Sequence, residues 1–302
     1  MPEAPRRRPL FGPFIRIGLL LTIGAGIAAL ALLGDLANMF RDVEDRALAL
    51  ERAKRRALWT AGQSLPGTPD LAKLSERLAT AGMALGQPML VRIFKREFEL
   101  EIWMRRGTRY EHFATYPICR FSGRLGPKLR QGDRQAPEGF YTVSTRQLNP
   151  NSRWHRSFNL GFPNVYDRAH GRTGSFLMVH GGCSSVGCYA MTNAVIDEIW
   201  QLVTAALSGG QRRIQVQAFP FRMTDENMAA EAENPQAPFW RTLKEGNDLF
   251  LSSGAPPRVS VCDRNYVFRP GAVPALATAG PIGACAKPSA KATTKSTRSA
   301  SR

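Results

Sequence analysis

The chain has 302 residues, of which 43% are hydrophobic, so it can form two average domains or one elaborated domain around a sizeable core. Five cysteines in a chain of this length exclude a disulfide-stapled scaffold. The formal net charge of +17 predicts a polyanionic partner or polyanionic surroundings.

The N-terminus has the pattern of a membrane segment. A cluster of arginines between residues 6 and 16 precedes an uncharged run from Ile17 to Gly34. A run of this length suits a membrane-spanning helix, and its basic flank predicts a cytoplasmic N-terminus. We interpret residues 1–35 as an inner-membrane anchor, with a cleaved signal peptide as the alternative. Either interpretation exports the rest of the chain to the periplasm.

Residues 36–88 are predicted to form a helical stalk or linker. The segment RDVEDRALALERAKRRALWTAGQ carries Ala and Leu at helical spacing among many charges, which is typical of a solvated helix. From residue 89 the pattern changes to alternating apolar and polar residues. This alternation predicts strands that turn near Arg106 and Gly107.

The stretch Leu125–His180 is rich in Gly, Pro, Asn and aromatic residues. Short strands are predicted at Phe140–Ser144 and Ser157–Leu160, between turns. Between Thr115 and His180, ten Lys and Arg stand against three acidic residues, which predicts a basic surface. The segment GSFLMVHG is typical of a buried strand that carries His180 at its end.

The clearest helix is predicted from Thr192 or Asn193 to Gly209–Gly210, with one apolar face. Residues 225–269 are predicted to form a C-terminal extension of helices, with RVSVCDRNYVF as a possible last strand. Residues 270–302 contain no acidic residue and no periodicity, which predicts a disordered basic tail.

The segment FLMVHGGCSSVGCYAM contains one histidine and two cysteines within nine residues. A zinc site would need a fourth ligand, and none lies nearby in the sequence. A Cys183–Cys188 disulfide is sterically possible but would quench the thiol. The third alternative is a catalytic pair of His180 and Cys188. We favour it because an odd cysteine count leaves at least one thiol free in an oxidising compartment. We interpret Cys119 and Cys262 as buried, inert cysteines.

The catalytic interpretation also explains the small residues before Cys188. Gly187 would let a substrate carbonyl approach the backbone closely, and free N–H groups at Gly187 and Cys188 would hold an oxyanion. The imidazole of His180 would lower the pKa of the thiol and generate a thiolate nucleophile.

Three motifs together carry a family resemblance: HGGCSSVGCYAM, QGDRQAPEGFYTV and LNPNSRWHRSFNLGFPNVYDRAHGRTG. From Leu90 to Thr224 the chain resembles the YkuD-type L,D-transpeptidase catalytic domain, in particular its YafK-like murein branch. The resemblance implies an α+β fold for residues 89–224, mainly β with flanking helices and a β-sandwich or barrel at its centre.

By the same resemblance, Cys188 is the nucleophile and His180 is the general base and acid. Ser185 and Gly187 belong to the nucleophile motif, and the main-chain carbonyl of Gly181 would orient the imidazole in place of a carboxylate. The chain departs from the broader family pattern at residues 186, 189 and 190, and the spacing between the histidine and the cysteine is shorter.

Substrate-binding residues are predicted in the segment YDRAHGRTG. Arg168 and Arg172 are candidates for a bidentate clamp on a substrate carboxylate, with residues of a solvated basic loop as an equal alternative. His170 is either a structural loop residue, which is the preferred interpretation, or a residue that lines the cleft.

The predicted function is an exported cysteine acyltransferase that acts on peptidoglycan stem peptides. A thioester on Cys188 would pass to an amine of another stem or of an envelope lipoprotein, without metal, organic cofactor or nucleic acid. Two alternatives stay open: a murein amidase or carboxypeptidase that resolves the same thioester with water, and a non-catalytic peptidoglycan-binding module.

Overall fold

The computed structural model describes residues 39, 41–271 and 282–285. The predicted membrane segment, residues 1–35, lies outside these ranges. Within them, no helix is both long and apolar enough to cross a membrane.

The described helices are α1 (residues 41–60), α2 (Leu74–Thr80), α3 (Val165–Ala169), α4 (Asn193–Ser208), α5 (Asp225–Ala230) and α6 (Ala237–Ser253). The strands are β1 (Met89–Phe94), β2 (Glu99–Arg106), β3 (Arg109–Pro117), β4 (Arg120–Phe121), β5 (Gly139–Val143), β6 (Leu148–Ser152), β7 (His155–Asn159), β8 (Met178–His180), β9 (Tyr189–Ala190), β10 (Ile214–Phe219), β11 (Arg258–Cys262), β12 (Asn265–Arg269) and β13 (Gly283–Ala284).

These strands form three sheets. The first has the order β3-β2-β1-β10-β5, and its central pair, β1 and β10, runs parallel. Every residue of that pair is buried, as expected for strands covered on both faces. The second sheet has the order β4-β9-β8-β7-β6, and its parallel pair, β8 and β9, carries the candidate site. The third is small, with the order β12-β11-β13.

One hydrophobic core joins both large sheets and helix α4. It contains Val91 of β1, Val179 of β8, Ile199 of α4 and Tyr266 of β12. Helix α4 is held in place by its N-cap, where the Thr192 side chain accepts the N–H of Val195. Its apolar face then packs into the core.

Helix α1, in the segment predicted as a stalk, lies along the domain instead of standing in solvent. Leu48 is buried in the core described above. The Arg55 guanidinium donates to the carbonyl of Ile118 at 3.1 Å, and Arg52 donates to the carbonyl of Gly123. The charges that suggested a solvated helix therefore reach the backbone of a neighbouring segment.

Several predicted elements are confirmed: the turn between β2 and β3, the strand that ends at His180, and helix α4 with its Thr192 cap. The sandwich or barrel expectation needs correction. The described strands form separate sheets and no closed barrel, because β3, β5, β4 and β6 remain sheet edges.

The C-terminal region also departs from its prediction. RVSVCDRNYVF forms a two-stranded hairpin, β11 and β12, where one strand was expected. The tail was predicted to be disordered from residue 270, but β13 pairs in parallel with β11. Cys285 is also bonded to Cys262. That prediction is wrong for residues 282–285. Residues 272–281 and 286–302 lie outside the described part of the chain.

Candidate active site

His180 is the last residue of β8, and Cys188 comes immediately before β9. The two strands run parallel, with Val179 opposite Tyr189 and His180 opposite Ala190. One step back along this register Cys188 lies beside Met178, whose N–H donates to the Cys188 sulfur at 3.4 Å. Alternate residues of a strand face the same side, so the imidazole and the thiol share one face, with Cα atoms about 8 Å apart.

A main-chain carbonyl orients the imidazole. The Nδ1 atom of His180 lies 2.5 Å from the carbonyl oxygen of Gly181. A carbonyl only accepts hydrogen bonds, so Nδ1 carries the proton and Nε2 is the unprotonated nitrogen of the neutral ring. The contact that the family resemblance implied for Gly181 is present, and it leaves Nε2 able to accept a proton.

The start of helix α4 fixes the backbone after His180. The Asn193 side chain accepts the N–H of Gly182 at 2.9 Å. A Cβ atom at Gly181 would lie 2.7 Å from Asn193 Oδ1 and 3.0 Å from Ile196 Cγ2. Only glycine fits this position, because any side chain there would push the loop away from the helix.

Two serines shape the turn that leads to Cys188. Ser185 Oγ accepts the N–H of Cys188 at 3.0 Å and donates to the carbonyl of Cys188 at 2.7 Å. Ser122 Oγ accepts the N–H of Gly187 and lies 3.2 Å from Ser185 Oγ. Because the Ser185 proton is already used, Ser122 is the donor between the two hydroxyls.

These bonds correct one expectation. The N–H groups of Gly187 and Cys188 were predicted to be free for an oxyanion, but both donate to serine hydroxyls. An oxyanion at this turn would have to compete with Ser122 and Ser185. Gly187 itself has φ +110, a conformation that favours glycine, so its conformational freedom is needed to form the turn.

Burial keeps both reactive groups neutral. Cys188 is 8% exposed as a residue, and desolvation raises the pKa of its thiol above the ordinary value. The Met178 N–H and the charge of Lys128 lower that pKa by a smaller amount. Burial also lowers the pKa of His180, against the bond to Gly181. Both shifts favour the neutral forms, a thiol and an imidazole, over the expected thiolate. Such a pair suits proton transfer during attack.

The cysteine pairing differs from the predicted one. Cys119 is bonded to Cys183, Cys262 is bonded to Cys285, and Cys188 is free. The interpretation of Cys119 and Cys262 as inert thiols is therefore wrong. The alternative of a Cys183–Cys188 disulfide is also wrong, because Cys183 already has a partner. The expectation of one leftover thiol is met by Cys188.

Lys128 brings a buried positive charge to the site. Its side chain is 4% exposed and forms an ion pair with Asp133, while Nζ also donates to the carbonyl of Arg130 at 2.9 Å. Its stem packs tightly over Gly174, where an added Cβ would lie 2.6 Å from Lys128 Cε. The ammonium has three N–H groups, so one remains beyond these two acceptors.

One aromatic side chain borders the imidazole. The rings of Trp154 and His180 have centroids 6.0 Å apart, and the guanidinium of Arg153 lies 5.2 Å from the Trp154 ring centroid. Phe158, Phe162 and Tyr166, from the same aromatic-rich stretch of the sequence, are each at most 6% exposed and belong to the core. Exposed apolar side chains near the thiol come instead from Phe176 and Val186.

The predicted substrate-binding segment has other contacts. Arg172 is buried and pairs with the fully buried Asp167 at 2.9 Å, so the predicted clamp would have to break this ion pair. Arg168 donates to the carbonyl of Pro163 and borders a separate cavity of about 230 Å³ beside Gly161 and Arg213. His170 stays in hydrogen-bond contact with the carbonyl of Arg264 at 2.7 Å, as in the structural alternative.

The sequence matches known proteins over the part that builds this site. Residues 90–231 match the YkuD family, described as the L,D-transpeptidase catalytic domain. Over 206 residues the chain is 48% identical to "Putative L,D-transpeptidase YafK" of Escherichia coli (strain K12), which covers 68% of this chain and 81% of that protein. The chain belongs to the YkuD L,D-transpeptidase family. The YafK protein of Escherichia coli O157:H7 matches to the same extent.

Solved structures with weaker likeness include the helical cell shape determining protein Pgp2 from Campylobacter jejuni, at 18% identity and a TM-score of 0.37, covering 59% of this chain and 66% of that one. Bd1075 of Bdellovibrio bacteriovorus has 18% identity and a TM-score of 0.32, covering 56% and 66%. At these scores the likeness adds nothing to the description of the site.

Membership of the L,D-transpeptidase family confirms the resemblance that the three sequence motifs indicated. Three features of the site were missed: the Ser122 hydroxyl, the buried Lys128 and the Cys119–Cys183 bond. Ser122, Lys128 and Cys119 lie far before His180 in sequence, in segments whose local pattern indicates only turns and a strand end.

Proposed function

We propose that this L,D-transpeptidase-family protein is an exported cysteine acyltransferase that acts on peptidoglycan stem peptides. Members of the family act on peptidoglycan peptides. In this chain a histidine ends strand β8, and a free cysteine directly precedes the parallel neighbour β9. The observation that carries the proposal is the pairing of a free thiol at Cys188 with an imidazole whose Nδ1 is bonded to the Gly181 carbonyl.

In the acylation step, Nε2 of His180 takes the thiol proton as the sulfur of Cys188 attacks the carbonyl of the third residue of a tetrapeptide stem. The amide bond to the terminal D-Ala breaks. The imidazolium returns its proton to the leaving amine, and a thioester remains on Cys188. A neutral starting pair suits this sequence, because the proton moves only when the carbon–sulfur bond forms.

Charge near the thiol supports an anionic substrate. Stem peptides carry carboxylates, and Lys128 places a buried ammonium whose charge acts on the Cys188 thiol. Arg172 and Lys128 are both paired with a carboxylate, to Asp167 and Asp133 respectively, so either would have to exchange its partner. We assign carboxylate binding to Lys128 first because its charge acts on the Cys188 thiol. Arg168 and His170 then remain candidates only for a more distant part of the substrate.

The second half-reaction decides between transfer and hydrolysis. An amine acceptor, from another stem or from an envelope lipoprotein, would give a cross-link or an attached protein. Water would give a murein amidase or carboxypeptidase. One observation favours the hydrolytic alternative. An acceptor site that excludes water needs apolar walls, but of Trp154, Phe158, Phe162 and Tyr166 only Trp154 borders the imidazole, and the other three are buried in the core.

The location follows from the same proposal. Peptidoglycan lies outside the cytoplasm, so the catalytic domain must be exported, and residues 1–35 would supply the inner-membrane anchor or the signal peptide. Fractionation of cells that express the full chain tests this point. Protein in the inner membrane fraction that is digested by protease added to spheroplasts supports the anchor. A mature N-terminus downstream of residue 30 supports the cleaved signal.

Product analysis tests the reaction. Purified disaccharide-tetrapeptide is incubated with the soluble part of the chain, with and without a competing amine, and the products are identified by mass spectrometry. Amide-linked product in preference to free acid supports transfer. A shortened stem that dominates at saturating amine supports hydrolysis. Unchanged tetrapeptide, and no cleavage of intact sacculi, would leave the non-catalytic binding module as the function.

A further inference from the structure

The Cys119–Cys183 disulfide ties the loop between His180 and Cys188 to another part of the sheet. Cys183 lies in this loop, three residues after His180 and five before Cys188, while its partner is 64 residues away. Cys119 lies two residues after the end of strand β3 and directly before β4. The bond therefore connects the edge of the site sheet to the backbone that separates the two reactive residues.

Backbone hydrogen bonds show that both ends of the disulfide touch the strand of the nucleophile. The N–H of Cys119 donates to the carbonyl of Ala190 at 2.9 Å, and the N–H of Cys183 donates to that of Met191 at 3.1 Å. The N–H of Met191 donates in turn to the carbonyl of His180 at 2.7 Å. A shift of the Cys183 backbone would therefore displace Met191, which is hydrogen-bonded to both residues, and through it His180.

Cys183 also has a backbone conformation that needs support. Its φ is +45, in the left-handed region, which is unfavourable for a residue with a side chain. The next residues along the loop turn back toward Cys188, so this conformation sets the path between the imidazole and the thiol. A covalent bond to Cys119 is one of the constraints that hold it.

The disulfide is shielded from solvent. Cys119 is 0% and Cys183 is 2% exposed. Both pack with Leu58 of helix α1 and with Leu65 of the segment that follows the helix. The free thiol of Cys188 is less enclosed, at 8% exposure. The two sulfur environments are thus separated, with the disulfide under helix α1 and the thiol on the face that carries the imidazole.

We infer that Cys119 and Cys183 are positioning residues, and that the protein is active only when they are oxidised and Cys188 is reduced. The expected effect of the disulfide on turnover rests on the proposed function. Its expected effect on the pKa of the His180 imidazole does not. A reductant should therefore inactivate the protein, although its proposed nucleophile is a cysteine. The protein should become active only in a compartment where disulfides form.

A dithiol reductant can open the Cys119–Cys183 bond. Attack of a reductant thiolate breaks the bond between Cys119 and Cys183, two electrons and two protons pass to the two cysteines, and the reductant becomes a disulfide. Cys188 gains and loses nothing in this step. The reverse reaction needs a disulfide donor of the thiol–disulfide exchange class.

The chain offers a matched control for the experiment. The Cys119→Ala/Cys183→Ala variant removes the bond at the site, and Cys262→Ala/Cys285→Ala removes the bond between β11 and the segment of β13. Both variants and the wild type are compared by thermal unfolding, by steady-state kinetics on tetrapeptide stems, and by NMR titration of the His180 imidazole. The His180→Gln variant identifies that signal among the four histidines.

We expect the site variant to lose about tenfold or more in kcat with little change in KM, because a misplaced imidazole weakens proton transfer more than binding. Its His180 pKa should move up toward the ordinary value as the loop opens to water. The control variant should keep kcat within about twofold. A site variant with wild-type kcat and wild-type His180 titration overturns the inference, as does a lower kcat with an unshifted titration.

Two further measurements cover the cases in which the site variant does not fold or the wild type has no turnover. If the site variant does not fold, folded wild type is reduced with dithiothreitol and followed by circular dichroism. Loss of activity that returns on reoxidation supports the inference, and full activity with all five thiols free overturns it. If the wild type has no turnover on any stem, the proposed function fails, while the shift of the His180 titration still decides the positioning role.

Discussion

His180 and Gly181 are neighbours in sequence, and the side chain of the first is bonded to the main chain of the second, with Nδ1 2.5 Å from the carbonyl oxygen. This contact fixes the tautomer of the ring without a carboxylate. It also makes the geometry of the base depend on the backbone of the following loop, which Asn193 and the Cys119–Cys183 bond hold in place.

The pH dependence of acylation should follow His180. The imidazole must be neutral to accept the thiol proton, and burial lowers its pKa below the ordinary value of about 6.5. Activity should therefore persist below pH 6.5 and disappear as the pH falls through the lowered pKa. The acid limb of kcat/KM measures this directly. A limb centred above 6.5 would contradict the burial of a neutral base.

A methyl group at position 181 should disable the base. The Cβ of Gly181→Ala would lie 2.7 Å from Asn193 Oδ1 and 3.0 Å from Ile196 Cγ2, so the loop must move and carry the carbonyl away from Nδ1. We expect a loss of about 10²-fold in kcat. Gly107→Asn is the control, because an added Cβ there meets no atom within 4 Å. Near-normal kcat in Gly181→Ala would show that the carbonyl does not orient the ring.

Lys128 should favour the thiolate form of Cys188. Its positive charge lowers the thiol pKa, so Lys128→Met should raise that pKa and reduce the thiolate fraction at a fixed pH. The rate of carbamidomethylation of Cys188 by iodoacetamide should fall about threefold to tenfold. Lys244→Met, which breaks ion pairs with Asp225 and Asp248, serves as the control. Equal rates in both variants would contradict the effect of Lys128.

Arg172 should act on stability more than on substrate binding. Its ion pair with Asp167 is almost fully buried, so Arg172→Ala leaves a carboxylate without its partner. The expected loss is about 3–5 kcal/mol in the free energy of unfolding, measured with urea. Arg168→Ala, at an exposed residue, should change it by less than about 0.5 kcal/mol. A stable Arg172→Ala protein with a raised KM would restore the predicted carboxylate clamp.

The sequence predicted those parts of the site that depend on local pattern. Strand periodicity placed His180 at the end of β8, and the motif before Cys188 pointed to the thiol that the structure leaves free. Contacts over long sequence distances had no such signal. The pairing of Cys119 with Cys183 and the bond from Gly187 to Ser122 depend on how β4 lies against β9.

Arg172 shows a different limit of sequence reasoning. A basic residue in a glycine-rich loop has the same local pattern whether it faces a substrate or a buried carboxylate. Its partner Asp167 is only five residues away, but the burial that makes the pair structural comes from the packing of Tyr166 and Phe239 around it. Tertiary packing therefore decided the role of this side chain.

A covalent intermediate on Cys188 is the central claim, and intact-protein mass spectrometry after rapid acid quench tests it most directly. Wild-type protein mixed with disaccharide-tetrapeptide should gain the mass of the stem without its terminal D-Ala. The adduct should map to the peptide that contains Cys188, be removed by hydroxylamine, and be absent from Cys188→Ala. Stem cleavage by the Cys188→Ala variant at the wild-type rate, or an adduct on another residue, would contradict the claim.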